Sequence, residues 1–195
     1  MVKKSLKIGL VCLGAIAIGI NLGGCKDKSI TNSDPDPVVE NVDSLEAVAL
    51  FKTMGDEAYN TETKGWKRWP GTTGKYLPDT TLWGKNPHLG PKAFQTFINA
   101  AAYNTLIGGT FPLVDGAVIV KENYAIAGAD TTLVAYTVMK KKMGYNPDAS
   151  DWFWAKYDGT GNVLKAGKVG GCIGCHKGTK SVYKDARDLV WTRLP

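Results

Sequence analysis

The chain has 195 residues but only two histidines and four cysteines, so few side chains are available for metal binding or redox chemistry. Its apolar run Ile8–Ile20 is 13 residues long, short of the roughly 20 that a membrane-spanning helix needs. There are no internal repeats. Once the N-terminal lysines are set aside, no run of Lys and Arg interleaved with aromatics remains, which excludes a nucleic-acid-binding surface of the usual kind. What is plentiful is Gly, Trp and Tyr: 23, 6 and 8 residues. That balance leans toward strands and loops rather than a helical bundle.

The N-terminus carries an address. Lys3, Lys4 and Lys7 precede the apolar run, which suits the core of a signal peptide. The run ends in Leu22-Gly23-Gly24-Cys25, a pattern that resembles a bacterial lipobox, with Cys25 as the lipid-bearing residue. The alternative is an ordinary signal peptide with a chance cysteine. Removing residues 1–24 takes away three lysines and no acid, so the net charge falls from +6 to +3. Lys26, rather than Asp, leaves the inner membrane unspecified and implies a lipid-anchored protein on the periplasmic side of an outer membrane. Residues 25–43 read as anchor and flexible tether, and 44–195 as one domain.

Within that domain, Ser44 is a candidate cap for a helix from Leu45 to Met54, with Leu45, Val48, Ala49 and Phe51 on its apolar face. Residues 61–91 form a long irregular segment holding Trp66, Trp69, Trp83 and His88. Phe94 to Asn99 reads as a strand, and a short helix follows from Ala100 to Leu106, closed by Gly108-Gly109. Gly116–Tyr124, Thr131–Lys140 and Asp151–Tyr157 are strand patterns, and Asp158-Gly159-Thr160-Gly161-Asn162 is a turn into a return strand. The expected fold class is α+β, mainly β: a small antiparallel sheet of about five strands with a few helices packed on it. The aromatics Trp66, Trp69, Trp152, Phe153, Trp154 and Tyr157 are read as core and interface residues.

Two cysteines are left once Cys12 departs with the signal segment and Cys25 takes lipid. They stand in Cys172-Ile173-Gly174-Cys175-His176, the C-x-x-C-H pattern of c-type haem attachment. Two thiols at this spacing can each form a thioether to one haem, and the His that follows is placed to ligate iron. Competing readings are a redox C-x-x-C pair or half of a zinc site. Zinc needs two more ligands, for which only His88 and acids remain, and a thioredoxin-like pair should open a helix after a strand. The expectation is one covalent haem c per chain. Only 19 residues follow His176, and none is Met or His. Met54, Met139, Met143 and His88 are the upstream candidates for a sixth ligand, with Met139 more simply a core filler. The favoured state has an open position on the iron.

The segments Gly116-Ala117-Val118-Ile119-Val120-Lys121-Glu122, Gly144-Tyr145-Asn146-Pro147 leading to Asp151-Trp152-Phe153-Trp154, the haem motif with Gly171 and Lys177, and the ending Asp188-Leu189-Val190-Trp191-Thr192-Arg193 together resemble the cytochrome P-460 family, which includes the β-sheet cytochromes c′-beta. The resemblance spans residues 60–195. It implies a homodimer with a five-coordinate haem. In the P-460 members a Lys in the V-K-E position is bonded to the porphyrin, and the enzymes oxidise hydroxylamine and NO. The c′-beta members lack that bond and bind gases such as NO. The resemblance makes Lys121 a candidate crosslink; the alternative is an ordinary solvent-facing strand lysine. Catalytic members carry a carboxylate in the strand matching Thr131–Lys140. This chain has none there, and Tyr136 falls nearest, with Glu122 a second candidate for proton transfer. Their distal Arg is replaced by Phe94 or Gln95, with Phe97 not separable. A distal Phe94 resembles the hydrophobic cap of the c′-beta proteins. Three functions follow: a binding protein for NO or a related ligand, an oxidoreductase acting on hydroxylamine or NO, and an electron carrier.

Overall fold

The computed structural model describes residues 41–72, 74–75, 92–127, 129–178 and 186–191. The signal segment, Cys25, the tether up to residue 40, Trp83 and His88 lie outside the described residues.

The strands form one antiparallel sheet in sequence order. They are β1 (Lys67–Arg68), β2 (Lys92–Ile98), β3 (Val118–Ala127), β4 (Asp130–Lys141), β5 (Trp152–Asp158) and β6 (Val163–Gly167). The sheet thus has six strands; the extra one is β1, too short for its two residues to show a pattern in sequence. Helix α1 is Val42–Asp56, α2 is Ala100–Ile107 and α3 is Gly170–Gly178. A two-residue turn joins β7 (Ala186–Arg187) to β8 (Val190–Trp191) in a separate hairpin. Among the described residues no helix is long and apolar enough to cross a membrane.

Asn41, not Ser44, caps α1; its side chain accepts from the Asp43 N–H at 3.0 Å. The inward face also differs from expectation. Ala47, Leu50 and Met54 are buried, while Leu45 and Val48 are 47% and 57% exposed. The face carrying small Ala47 lets α1 lie close against the sheet, and β6 is shaped to receive it. A Cβ on Gly161 would overlap the Phe51 ring, and one on Gly167 the Asp43 carboxylate. Both glycines also have positive φ, at 97° and 92°. At the start of α2, Asn99 accepts from Ala102 N–H at 3.1 Å and from Val118 N–H at 3.0 Å, tying the helix to the first residue of β3.

Strand alternation sorts the side chains onto two faces. Under α1 lie Trp66, Phe97, Val118, Val120, Val138, Phe153 and Tyr157. On the opposite face Ile98, Ile119, Met139, Trp152 and Trp154 pack with Ala102 and Leu106 of α2 and with Leu189 and Val190. Phe97, Trp152, Phe153 and Tyr157 are each 0% exposed, and full burial of one such ring contributes about 2–3 kcal/mol.

Glu122 is also under α1, at 2% exposure. Tyr59 donates to its Oε1 at 2.5 Å, while Tyr124 and Gln95 donate to Oε2 at 2.5 and 3.1 Å. Arg68 in turn donates to Gln95 at 3.0 Å. Burial first, and then the Glu122 charge, raise the pKa of Tyr59, Tyr124 and Tyr136 above the ordinary phenol value. A folded-state pKa raised in this way contributes stability that is complete below the unfolded pKa of about 10 and is lost as pH rises beyond it. Urea-unfolding stability should therefore be flat from neutral pH to about pH 10 and then fall. Tyr59→Phe should make that alkaline fall shallower, and equal slopes in the two proteins would contradict the assignment.

Candidate functional site

Helix α3 puts Cys172, Cys175 and His176 at i, i+3 and i+4, on one helical face. The helix follows β6 after two residues, so the motif does open a helix after a strand. That removes one ground for setting aside a redox dithiol. The surroundings of His176 supply a better one.

His176 lies edge-on to Trp154, with ring centroids 4.6 Å apart. Its Nδ1 is 2.8 Å from the Leu189 carbonyl oxygen. A carbonyl only accepts, so Nδ1 carries the proton and Nε2 keeps the lone pair that a metal requires. Burial lowers the His176 pKa; the bond to Leu189 opposes this, and the Lys121 ammonium adds to it. The imidazole is therefore held neutral, as a ligand must be. Cys172 and Cys175 are half-buried and not joined in a disulfide. Burial raises the Cys172 pKa, while Lys165 and Lys156 draw it down. Among the described residues no group of three or more His, Cys, Asp or Glu side chains could hold a metal ion. The donor set of two thiols beside one neutral, single-tautomer imidazole fits a haem, and the described residues supply no further ligands for zinc.

Register shows what lies beside His176 on the sheet. Trp154 belongs to a cross-strand row with Met139, Ile119 and Ile98. The next row on the same face runs Thr96, Lys121, Thr137, Lys156, Lys165. Lys121, Thr137 and Lys156 are half-buried, and the row contains no carboxylate. The Lys121 ammonium sits 4.5 Å from the centre of the Phe94 ring, a cation–π contact. The three candidates for the distal aromatic position are now separated. Phe94 shares the His176 face, whereas Gln95 and Phe97 point under α1.

Glu122 and Tyr136 are not brought to this face. They pair with each other in register and both point under α1. Alternation decides this: Lys121 and its partner Thr137 face His176, so the residues next to them cannot. The β4 side chain opposite Lys121 is Thr137, not Tyr136. Of the sulfur candidates, Met54 is in the α1 core, Met139 is packed into the core beside Trp154, and Met143 is 60% exposed. The contribution of Leu189 was invisible in sequence because it comes from a main-chain carbonyl. Trp154 Nε1, also beside His176, is buried with no hydrogen-bond partner among the described residues.

A family model described as Cytochrome P460 matches residues 58–192. The chain belongs to the cytochrome P460 family. Membership brings with it a c-type haem and its iron, in agreement with the donor set on α3. No curated protein gives a significant match. The cytochrome P460 match also covers β2 to β6, so the strands that build the Lys121 row belong to the family domain.

Because Glu122 lies across the sheet from His176, its replacement separates stability from the haem. Glu122→Gln should lower unfolding stability by about 1–3 kcal/mol, since buried donors lose their shared acceptor, and should leave the Soret band where it is. A Soret shift would return Glu122 to the site.

Proposed function

We propose that the protein is a covalent haem c protein of the bacterial cell envelope that binds NO or a closely related uncharged nitrogen-oxide ligand. Cys172 and Cys175 would form the two thioethers, and His176 Nε2 would ligate the iron. When bound, the haem supplies a redox-active iron with a position open to a small molecule. The remaining work belongs to the chain. Leu189 and Trp154 fix the imidazole, and Phe94, Thr96, Lys121 and Thr137 would border the haem from the same face of the sheet as His176.

The observation that carries this reading is the absence of a carboxylate from the Lys121 row, combined with the placement of Glu122 and Tyr136 beneath α1. Oxidising hydroxylamine requires protons to be removed from the substrate, which calls for a positioned base. Capturing an uncharged gas does not. A second reading rests on Lys121. It shares the face of His176 and acts on it electrostatically, which suits a Lys-modified haem in an oxidoreductase acting on hydroxylamine or NO. Simple electron transfer is the weakest of the three, since Met139 and Met54 are committed to the two cores.

The dithionite-reduced protein, matured with haem, should give an ordinary high-spin haem c spectrum, retain its haem through acid–acetone extraction, and shift its Soret band on adding NO. It should not turn over hydroxylamine. A broad, strongly red-shifted Soret band abolished by Lys121→Met, together with hydroxylamine oxidation, would replace binding with the enzyme reading. Sharp low-spin bands unaffected by NO would sink both.

We also assign Cys25 as the lipid-bearing residue of an outer-membrane lipoprotein, from the pattern Leu22-Gly23-Gly24-Cys25 with Lys26 after it. Cys25→Ala should move the protein from the membrane fraction to the soluble one and abolish labelling by radioactive palmitate. Labelling that survives the substitution would refute the assignment.

A further inference from the structure

The turn between β7 and β8 consists of Asp188 and Leu189, with φ of 54° and 59°. Two successive left-handed residues make the tight hairpin turn that Asn-Gly favours, and leucine is poorly suited to it. The conformation is therefore held by its surroundings, and the surroundings converge on Asp188. Its Oδ1 accepts from Lys141 Nζ at 2.6 Å and its Oδ2 from the Leu113 N–H at 2.8 Å. Its main-chain oxygen accepts from Trp152 Nε1 at 2.7 Å. Lys141 also donates to the Ser150 carbonyl at 2.7 Å. The side chains of Lys141 and Asp188 are 2% and 3% exposed. One residue further on, the Leu189 carbonyl receives the proton of His176 Nδ1.

A buried ion pair is a poor way to gain stability, because desolvating both charges offsets most of their attraction. Apolar residues of similar size would serve the core as well. What they would not do is fix the direction of one backbone carbonyl. We propose that Lys141 and Asp188 are positioning residues for His176. By locking the 188–189 turn against the ends of β4 and β5, they aim the Leu189 carbonyl at Nδ1 and so set how strongly the imidazole donates to iron. The inference rests on the reading of His176 as the haem ligand and is independent of which small molecule the haem binds. An acceptor at Nδ1 makes the opposite nitrogen a better electron donor. A better donor favours the ferric state and strengthens the bond between iron and His176.

The test uses the full haem-loaded protein and two readouts that need no turnover: a potentiometric titration, and the iron–histidine stretching band in resonance Raman of the ferrous form. The main variant is the double change Lys141→Met with Asp188→Asn. It removes both charges together, so neither is stranded, and Asn tolerates the left-handed conformation. If it does not accumulate, Asp188→Asn alone carries the same test. Loss of the lock should raise the ferrous-to-ferric ratio at a fixed potential about tenfold, an upward shift of about 59 mV for one electron. The stretching band should move to lower frequency. Glu122→Gln, destabilising but on the other face, should move neither readout. A folded, haem-bearing double variant with the wild-type potential and band would overturn the proposal. An iron–histidine band missing from the wild-type protein itself would overturn the underlying reading as well.

Discussion

Successive side chains of a β-strand leave it on opposite sides, and in β3 that constraint divides the molecule's chemistry. Val118, Val120 and Glu122 go under α1, while Ile119 and Lys121 go toward α3. One residue therefore separates a structural carboxylate from a lysine that acts on His176. The partner strands follow through register: Tyr136 goes with Glu122, and Thr137 with Lys121. A β-bulge between Asn123 and Tyr124 comes after these pairs and does not disturb them. A single-residue slip would exchange the two sets and put a carboxylate beside His176.

Each face buries charge by a different means. Under α1, Glu122 is satisfied by neutral donors, two phenols and an amide, with Arg68 reached only through Gln95. On the α3 side, Asp188 meets an ammonium directly. The phenols spread one negative charge over several hydrogen bonds and tie the turn after α1 to the sheet. The ion pair is stiffer, because both of its charges are also tied to main-chain groups of separate segments. The stiffer device stands next to the residue whose orientation matters.

Much of this was legible in the sequence. The alternation in Val118–Glu122 marked the strand, although Lys121 and its neighbour Glu122 were both read as site candidates, and the five residues from Cys172 to His176 pointed to the cofactor chemistry. The turn residues Asp158 to Asn162 marked where β5 returns as β6. Other features depend on contacts distant in sequence. The choice between Leu45 and Leu50 as the buried position of α1 depends on glycines more than 100 residues away, Gly161 in the turn before β6 and Gly167 at its end. Tyr136 and Thr137 differ by one position, and the strand pattern around them is too mixed for either to declare its face. The helix around the haem motif is short and glycine-rich, with weak intrinsic propensity; packing of Cys172 and Ile173 on the Trp154 side sustains it. Lys141 and Asp188 look like two ordinary charges until the fold places them 2.6 Å apart.

The sheet ends at both margins on short strands: two residues in β1 and five in β6. β6 also closes on Gly167, whose left-handed backbone departs from the extended form. Unpaired strand edges are templates on which another chain can add itself, and the length of available ladder sets how firmly it does so. Here the long strands, β3 and β4, are interior. At the β6 margin a neighbouring copy would meet a five-residue edge that turns away at Gly167, so that side of the sheet is a poor template for intermolecular pairing.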